Sequence, residues 1–209
     1  MKWLLIAATA CLLALPARAL EVLSQGFNME NGVYELELDV RIEAPIERVW
    51  AILTDYDRLP ELNPAVTRSR VEVNDEGQPE VLTVVRGCVL FFCSSVERVE
   101  IMEAFAPVRI VAVTDPARSD LRQGRSEWNF WPEDEATRLS LTVLMEPDFW
   151  VPPVLGRRAL RRNLIGGTLD LLEAVEQRAA EAAADANAQA DANAGAQAEA
   201  SLDALPVPQ

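Results

Sequence analysis

The sequence predicts an α+β fold: a mostly antiparallel sheet of about seven strands, two short helices after the first strand, and one long helix near the C-terminus. Three observations predict it. Runs with strand-like patterning, punctuated by Gly, Pro and acidic turns, recur between residues 34 and 146. Residues 45–62 switch to helical spacing, and residues 153–178 hold one apolar stripe at that spacing. The connections among the later strands are short, which makes neighbours antiparallel.

The first strand is 34–42, where Tyr34, Leu36, Leu38, Val40 and Ile42 alternate with Glu35, Glu37, Asp39 and Arg41. One face is therefore buried and one wet. Pro45 stands where a helix starts, a place at which its missing N–H costs nothing. Ile46, Val49, Trp50 and Leu53 then form the apolar face of a short helix, and a second helical turn follows near 57–62. Asn63-Pro64 forces the backbone out of the helical region. Strands are expected at 66–73, 80–86, 92–101 and 109–114, then at 121–131 and 136–146 around a turn at 132–135. The last element is a helix over 153–178. Leu160, Leu164, Thr168, Leu171 and Val175 share one stripe on it, with Gly167 alongside.

The two ends differ from this domain, expected over 20–178. Lys2, an apolar run over 3–15 and Ala17-Arg18-Ala19 read as a secretory signal peptide, 1–19, cut after Ala19. The alternative is an uncleaved N-terminal anchor. The protein is accordingly expected to be periplasmic or secreted. From 179 to 209 the chain is mostly Ala, Asn, Gln, Asp and Glu, with almost nothing to bury, and a disordered acidic tail is expected.

Charge and residue types narrow the function. The net charge is −14. Without residues 1–19, which carry Lys2 and Arg18 and no acid, it is −16, and setting aside the five acids of the tail leaves −11 for the domain. Such a surface repels phosphates, so no nucleic-acid partner is expected. The count of His is 0. That removes Ser-His-Asp and Cys-His catalysis and most zinc sites. No P-loop or dinucleotide Gly pattern occurs, and no cofactor or metal is expected. Cys88 and Cys93 form an even pair in a chain bound for an oxidising compartment. If the chain reverses near residues 90–91, the two sulfurs meet across a hairpin as a disulfide. The alternative is a reactive or metal-binding thiol pair, for which the spacing without further Cys or His is poor.

The order of strand, Ala44-Pro45, Glu47, Val49-Trp50, Ile52-Leu53, Asp55-Tyr56 and Leu59-Pro60 resembles the opening of the START-like (SRPBCC) superfamily. Trp128-Asn129-Phe130-Trp131-Pro132 with Thr137-Arg138-Leu139-Ser140-Leu141 is similar to that group's last hairpin. Val151-Pro152-Pro153 with the Arg-rich helix behind it is similar to its C-terminal helix. The superfamily includes polyketide cyclases, coenzyme Q-binding proteins and lipid-transfer domains. The resemblance spans roughly residues 33–178. It implies a helix-grip fold, with a curved sheet wrapped around the terminal helix and a ligand cavity between them.

That implication selects candidate cavity residues: Trp128, Phe130, Leu141 and Val143 from the last hairpin, and Leu160, Leu164, Gly167, Thr168 and Leu171 from the helix. Arg86, which ends the apolar run 81–85, is the candidate polar contact for a carboxylate, phosphate or quinone oxygen; pointing outward, it is an ordinary surface charge. Gly166-Gly167 either makes room for a ligand or permits close helix–sheet packing. Phe149, Trp150 and Leu155 beside Arg157, Arg158, Arg161 and Arg162 form a candidate membrane-facing mouth, with rings at headgroup level and Arg meeting anionic lipid. The expected function is a binding module for a hydrophobic small molecule or lipid, with transient membrane contact. A cyclase/dehydratase-like enzyme is the rival, and a protein-interaction module the third reading. A carboxylate or Tyr pointing into the cavity would favour the enzyme.

Overall fold

The computed structural model describes residues 20–89, 92–151 and 155–203. The expected signal peptide, residues 90–91 and residues 152–154 lie outside the described residues. Among the described residues eight strands form one sheet: β1 (Glu21–Glu30), β2 (Val33–Ile42), β3 (Val66–Val73), β4 (Pro79–Val89), β5 (Phe92–Phe105), β6 (Arg109–Thr114), β7 (Leu121–Glu133) and β8 (Ala136–Pro147). They are accompanied by α1 (Ile46–Leu53), α2 (Leu59–Leu62) and α3 (Leu155–Asp203), with a 3₁₀ turn, Tyr56–Arg58, between α1 and α2. The spatial order is β1-β2-β8-β7-β6-β5-β4-β3, and every neighbouring pair is antiparallel. This is the open antiparallel sheet and long C-terminal helix of the helix-grip fold.

The extra strand is β1. Its side chains are mostly exposed, so it lacks the alternation that marks a half-buried strand. Its turn is nevertheless encoded. Asn31 and Gly32 have φ of 52° and 86°, the left-handed pair of a two-residue hairpin. Gly adopts this backbone freely and Asn is among the few other residues that tolerate it.

On β2 the residues Tyr34, Leu36, Leu38, Val40 and Ile42 are all buried, as the alternation requires. Asn63, at φ −137° and ψ 109°, leaves the helical region directly before Pro64. The main core joins Leu38, Val40 and Ile42 to Val49 and Leu53 of α1, to Phe130, Leu139 and Leu141, and to Leu172 and Val175 of α3. Trp50 meets Phe130 edge to face at 5.6 Å between ring centres. Full burial of a ring such as Phe130 contributes about 1.5–3 kcal/mol.

Beside this apolar packing, hydrogen bonds hold the short helices to α3. Arg48 Nη1 donates to the Ala179 carbonyl at 3.4 Å, Asn63 Nδ2 donates to the Gly167 carbonyl at 2.9 Å, and Arg178 Nη2 donates to Glu61 at 2.9 Å. Beyond residue 178 the sequence leads one to expect disorder, whereas α3 continues to Asp203. Ala is the strongest helix former, and 179–203 contains one Gly and no Pro. Residues 184–194 are all exposed, so local propensity rather than packing carries that stretch of helix.

Candidate functional site

A cavity of about 230 Å³ lies between the sheet, the α2 region and α3. Its apolar wall comes from Leu36 of β2, Val81 and Val85 of β4, Met102 of β5, Ile110 of β6 and Leu141 of β8. Leu53, Leu59 and Val66 close one side, and Leu164, Thr168 and Leu171 of α3 cover the other. Gly167 faces this space. A Cβ placed there would meet only Asn63 Nδ2, at 3.8 Å, and one at Gly166 would meet nothing within 4 Å. Close packing therefore does not demand the glycine pair. At residue 167 the missing side chain leaves cavity volume, and the nearby carbonyl receives Asn63.

One end of the cavity is polar. Thr83 and Arg98 are cross-strand partners on β4 and β5, and Glu100 lies two residues beyond Arg98, on the same face. Arg98 Nη2 stands 3.1 Å from Glu100 Oε2. Tyr56, in the 3₁₀ turn, lines the same cavity. The Tyr56 hydroxyl, Thr83 Oγ1 and Arg98 Nε are buried and have no protein hydrogen-bond partner. Burial, helped by the Glu100 charge, pushes the Tyr56 phenol up to about 12, so at neutral pH it is a hydrogen-bond donor. Asn63 is already committed, since its Oδ1 accepts from Ala65 N–H at 2.9 Å while its Nδ2 reaches Gly167. Ser126 accepts from Trp128 Nε1 at 3.3 Å.

Of the residues singled out from sequence, Trp128, Leu141, Val143, Leu164, Gly167, Thr168 and Leu171 line this cavity. Arg86, Phe130 and Leu160 do not. Arg86 is exposed, because the two-residue period that turns Val81, Thr83 and Val85 inward turns Arg86 outward. Phe130 shares the face of Trp128 but lies further along β7, where Trp50 covers it. Leu160 packs one turn too early on α3, against the smaller cluster of Tyr34, Leu121 and Met145.

Sequence reasoning missed Tyr56, Thr83, Arg98 and Glu100. Thr83 interrupts an apolar run without changing its strand character. On β5 the alternation points both ways: Glu100 and Val99 are both buried, because the 115–120 segment hydrogen-bonds to Val99 on one side and to Glu97 beside it. The usable signal was the pair Arg98 and Glu100, opposite charges two apart on one strand face.

At the end of the domain that holds the start of α3, Trp150 is 78% exposed and Phe149 44% exposed. Arg158, Arg161 and Arg162 are exposed or lie at the surface of the first turns of α3, and they form no ion pair among the described residues. The side chains of Leu155 and Arg157 lie outside the described residues. Gly87 of β4 approaches Asn163 of α3, a Cβ there falling 3.6 Å from Asn163 Nδ2. This contact brings the β4–β5 hairpin beside the arginine-bearing turns. Cys88 and Cys93 are opposite each other in that hairpin's register; the Cys88 side chain lies outside the described residues. Among the described residues no helix is long and apolar enough to cross a membrane.

An antiparallel sheet gripping a C-terminal helix over an internal cavity defines a START-like domain. Residues 34–179 match the family model described as polyketide cyclase / dehydrase and lipid transport, and the chain belongs to that family. Sequence comparison with curated proteins finds no match. Among solved structures, the protein TTHA0849 from Thermus thermophilus is 23% identical, covering 71% of this chain and 98% of its own, at a TM-score of 0.58. The Zhui aromatase/cyclase from a Streptomyces species is 18% identical over 70% of this chain and 93% of its own, at 0.56. A STAR-related lipid transfer protein fragment from Xanthomonas axonopodis is 13% identical over 73% and 98%, at 0.52. Such likenesses show the fold; one fold hosts many activities.

Proposed function

We propose that this protein is an exported binding module that holds a hydrophobic small molecule or lipid in its cavity and exchanges it at a membrane surface. The observation that carries the reading is the apolar cavity of about 230 Å³ between sheet and α3, left open at Gly167. Apolar burial supplies the affinity, at about 25 cal/mol per Å² before ordering costs. Export is supported by the signal-peptide-like sequence of residues 1–19 and by the even pair Cys88 and Cys93, register partners on β4 and β5. Membrane contact is supported by exposed Trp150 and Phe149 beside the arginines of α3, a local basic sector on an acidic protein.

A second reading, a cyclase or dehydratase, is favoured by Tyr56 and Glu100 in the cavity wall. A protonated phenol beside a carboxylate can polarise a carbonyl and accept a proton. The test of the first reading is native mass spectrometry of the mature protein after incubation with lipid extract from its source. A retained apolar adduct, released by organic extraction unchanged, is the expected result. A bare protein mass throughout would end the carrier reading, and recovery of a chemically altered molecule would move the assignment to the enzyme.

A further inference from the structure

Resting on the binding reading, we infer that the cavity selects an amphiphile whose head is a neutral hydrogen-bond acceptor, a ketone, ester or alcohol oxygen, seated against Tyr56, Thr83 and Arg98. Carboxylate- and phosphate-headed lipids are the class it rejects.

The Tyr56 hydroxyl, Thr83 Oγ1 and Arg98 Nε are buried, lack a protein partner, and belong to residues that line the same cavity. Buried polar groups are nearly always paired, so three orphans on residues of one cavity wall mark its polar subsite. Two hydroxyls and an N–H can all donate, and a carbonyl oxygen, with two lone pairs, accepts from two of them at a time. Geometry supports convergence: Thr83 and Arg98 face one another across β4 and β5. The rest of the wall is largely apolar, which suits the ligand's tail.

Charge then decides the class. Among the described residues, Arg98 and Glu100 are the only charged ones lining the cavity, and they stand 3.1 Å apart. The pair is neutral as a unit. A carboxylate head would gain little from a guanidinium whose charge Glu100 offsets through Nη2, would meet the Glu100 charge, and would lose its hydration. A neutral acceptor meets none of these penalties and takes the orphaned donors. The high phenol value at Tyr56, raised in part by Glu100, is consistent with an end that disfavours further negative charge.

The test uses the full mature chain and displacement of bound N-phenylnaphthylamine by four probes of equal length: octanone, octanol, octanoate and octane. Octanone and octanol should displace the dye about tenfold more tightly than octane or octanoate, as one or two buried hydrogen bonds allow. Tyr56→Phe and Thr83→Val, which keep shape and remove a hydroxyl, should each cut the octanone preference several-fold and leave octane unchanged. Glu100→Gln should reverse the octanone-to-octanoate order by freeing the Arg98 charge. Equal binding of all four probes, with no response to the hydroxyl deletions, overturns this inference while sparing the carrier reading. Octanoate binding tightest to the wild type overturns it as well. Failure of every probe, octane included, overturns both together.

Discussion

Tyr56 and Thr83 carry hydroxyls that the folded chain does not satisfy. A buried hydroxyl that has a partner typically stabilises by about 1 kcal/mol, whereas an unmet one imposes a desolvation cost. Removing these two should therefore break the usual rule. Tyr56→Phe and Thr83→Val are expected to hold or raise the melting temperature of the ligand-free protein, by up to about 2–4 °C per kcal/mol gained. Thermal unfolding followed by circular dichroism checks this. A drop of several degrees in both variants would mean that the hydroxyls serve the fold rather than a ligand. This sets the site against its surroundings: Thr137 Oγ1, equally buried, donates to the Ala44 carbonyl at 2.7 Å, and its replacement by Val should cost about 1 kcal/mol.

Among the elements, α2 is the smallest and the most dependent on others. It is four residues long, and its attachment to α3 runs through Glu61 and Asn63. Arg58 donates to Glu61 at 3.0 and 2.8 Å, and Arg178 adds a third contact. Together they hold the Glu61 carboxyl down at about 2, against an ordinary 4.5. A carboxyl depressed on folding stabilises above its unfolded value and loses that contribution as pH falls through its folded value. The melting-temperature gap between wild type and Glu61→Gln should thus be full above pH 4.5, narrow below it, and close near pH 2. Because the group is solvent-exposed, the gap should be small and shrink with salt. A gap that persists at pH 2 would assign Glu61 a role other than its charge.

Elements also differ in how much of themselves the sequence displays. The strand β2 and the helix α1 were legible because burial on one face imposes a period, and Asn63-Pro64 because proline restricts its neighbour. Strand β1 was not, since an edge strand in solvent needs no alternation, although Asn31-Gly32 encoded its turn. On α3 the stripe was legible but its divided duty was not. Leu160 and Leu164 pack on the smaller cluster, Leu164, Gly167, Thr168 and Leu171 line the cavity, and Leu172 and Val175 fill the core. Arg98 and Glu100 escaped because both faces of β5 bury side chains, and Arg86 misled because a run of apolar residues does not reveal which of them points inward.

On the scale of the whole molecule, charge is distributed unevenly. The domain is strongly acidic, yet Arg158, Arg161 and Arg162 gather at the end where Trp150 and Phe149 protrude. Vesicles containing anionic lipid should co-sediment with the protein and neutral vesicles should not, each Arg near the surface contributing about 1 kcal/mol. Replacing the three arginines by Gln, with Trp150→Ala, should abolish sedimentation while leaving octanone binding in the cavity intact. Equal sedimentation with neutral lipid would remove the electrostatic part of the proposed docking.

The order of strands carries a further consequence, for how the molecule comes into being. From β3 to β8 each strand lies beside its neighbour in sequence, so this part is a meander built of local pairings. β2 must instead find β8, with Tyr34 set against Met145 across more than half the chain. Pairings of such separation are late and slow, because closing so long a loop costs chain entropy before any contact is gained. Pulse-labelled amide exchange during refolding should accordingly protect the β4 to β7 pairings before the β2–β8 seam. Until that last seam closes, the core side chains of β8 stand uncovered, and a newly made chain spends that interval as its most adhesive form.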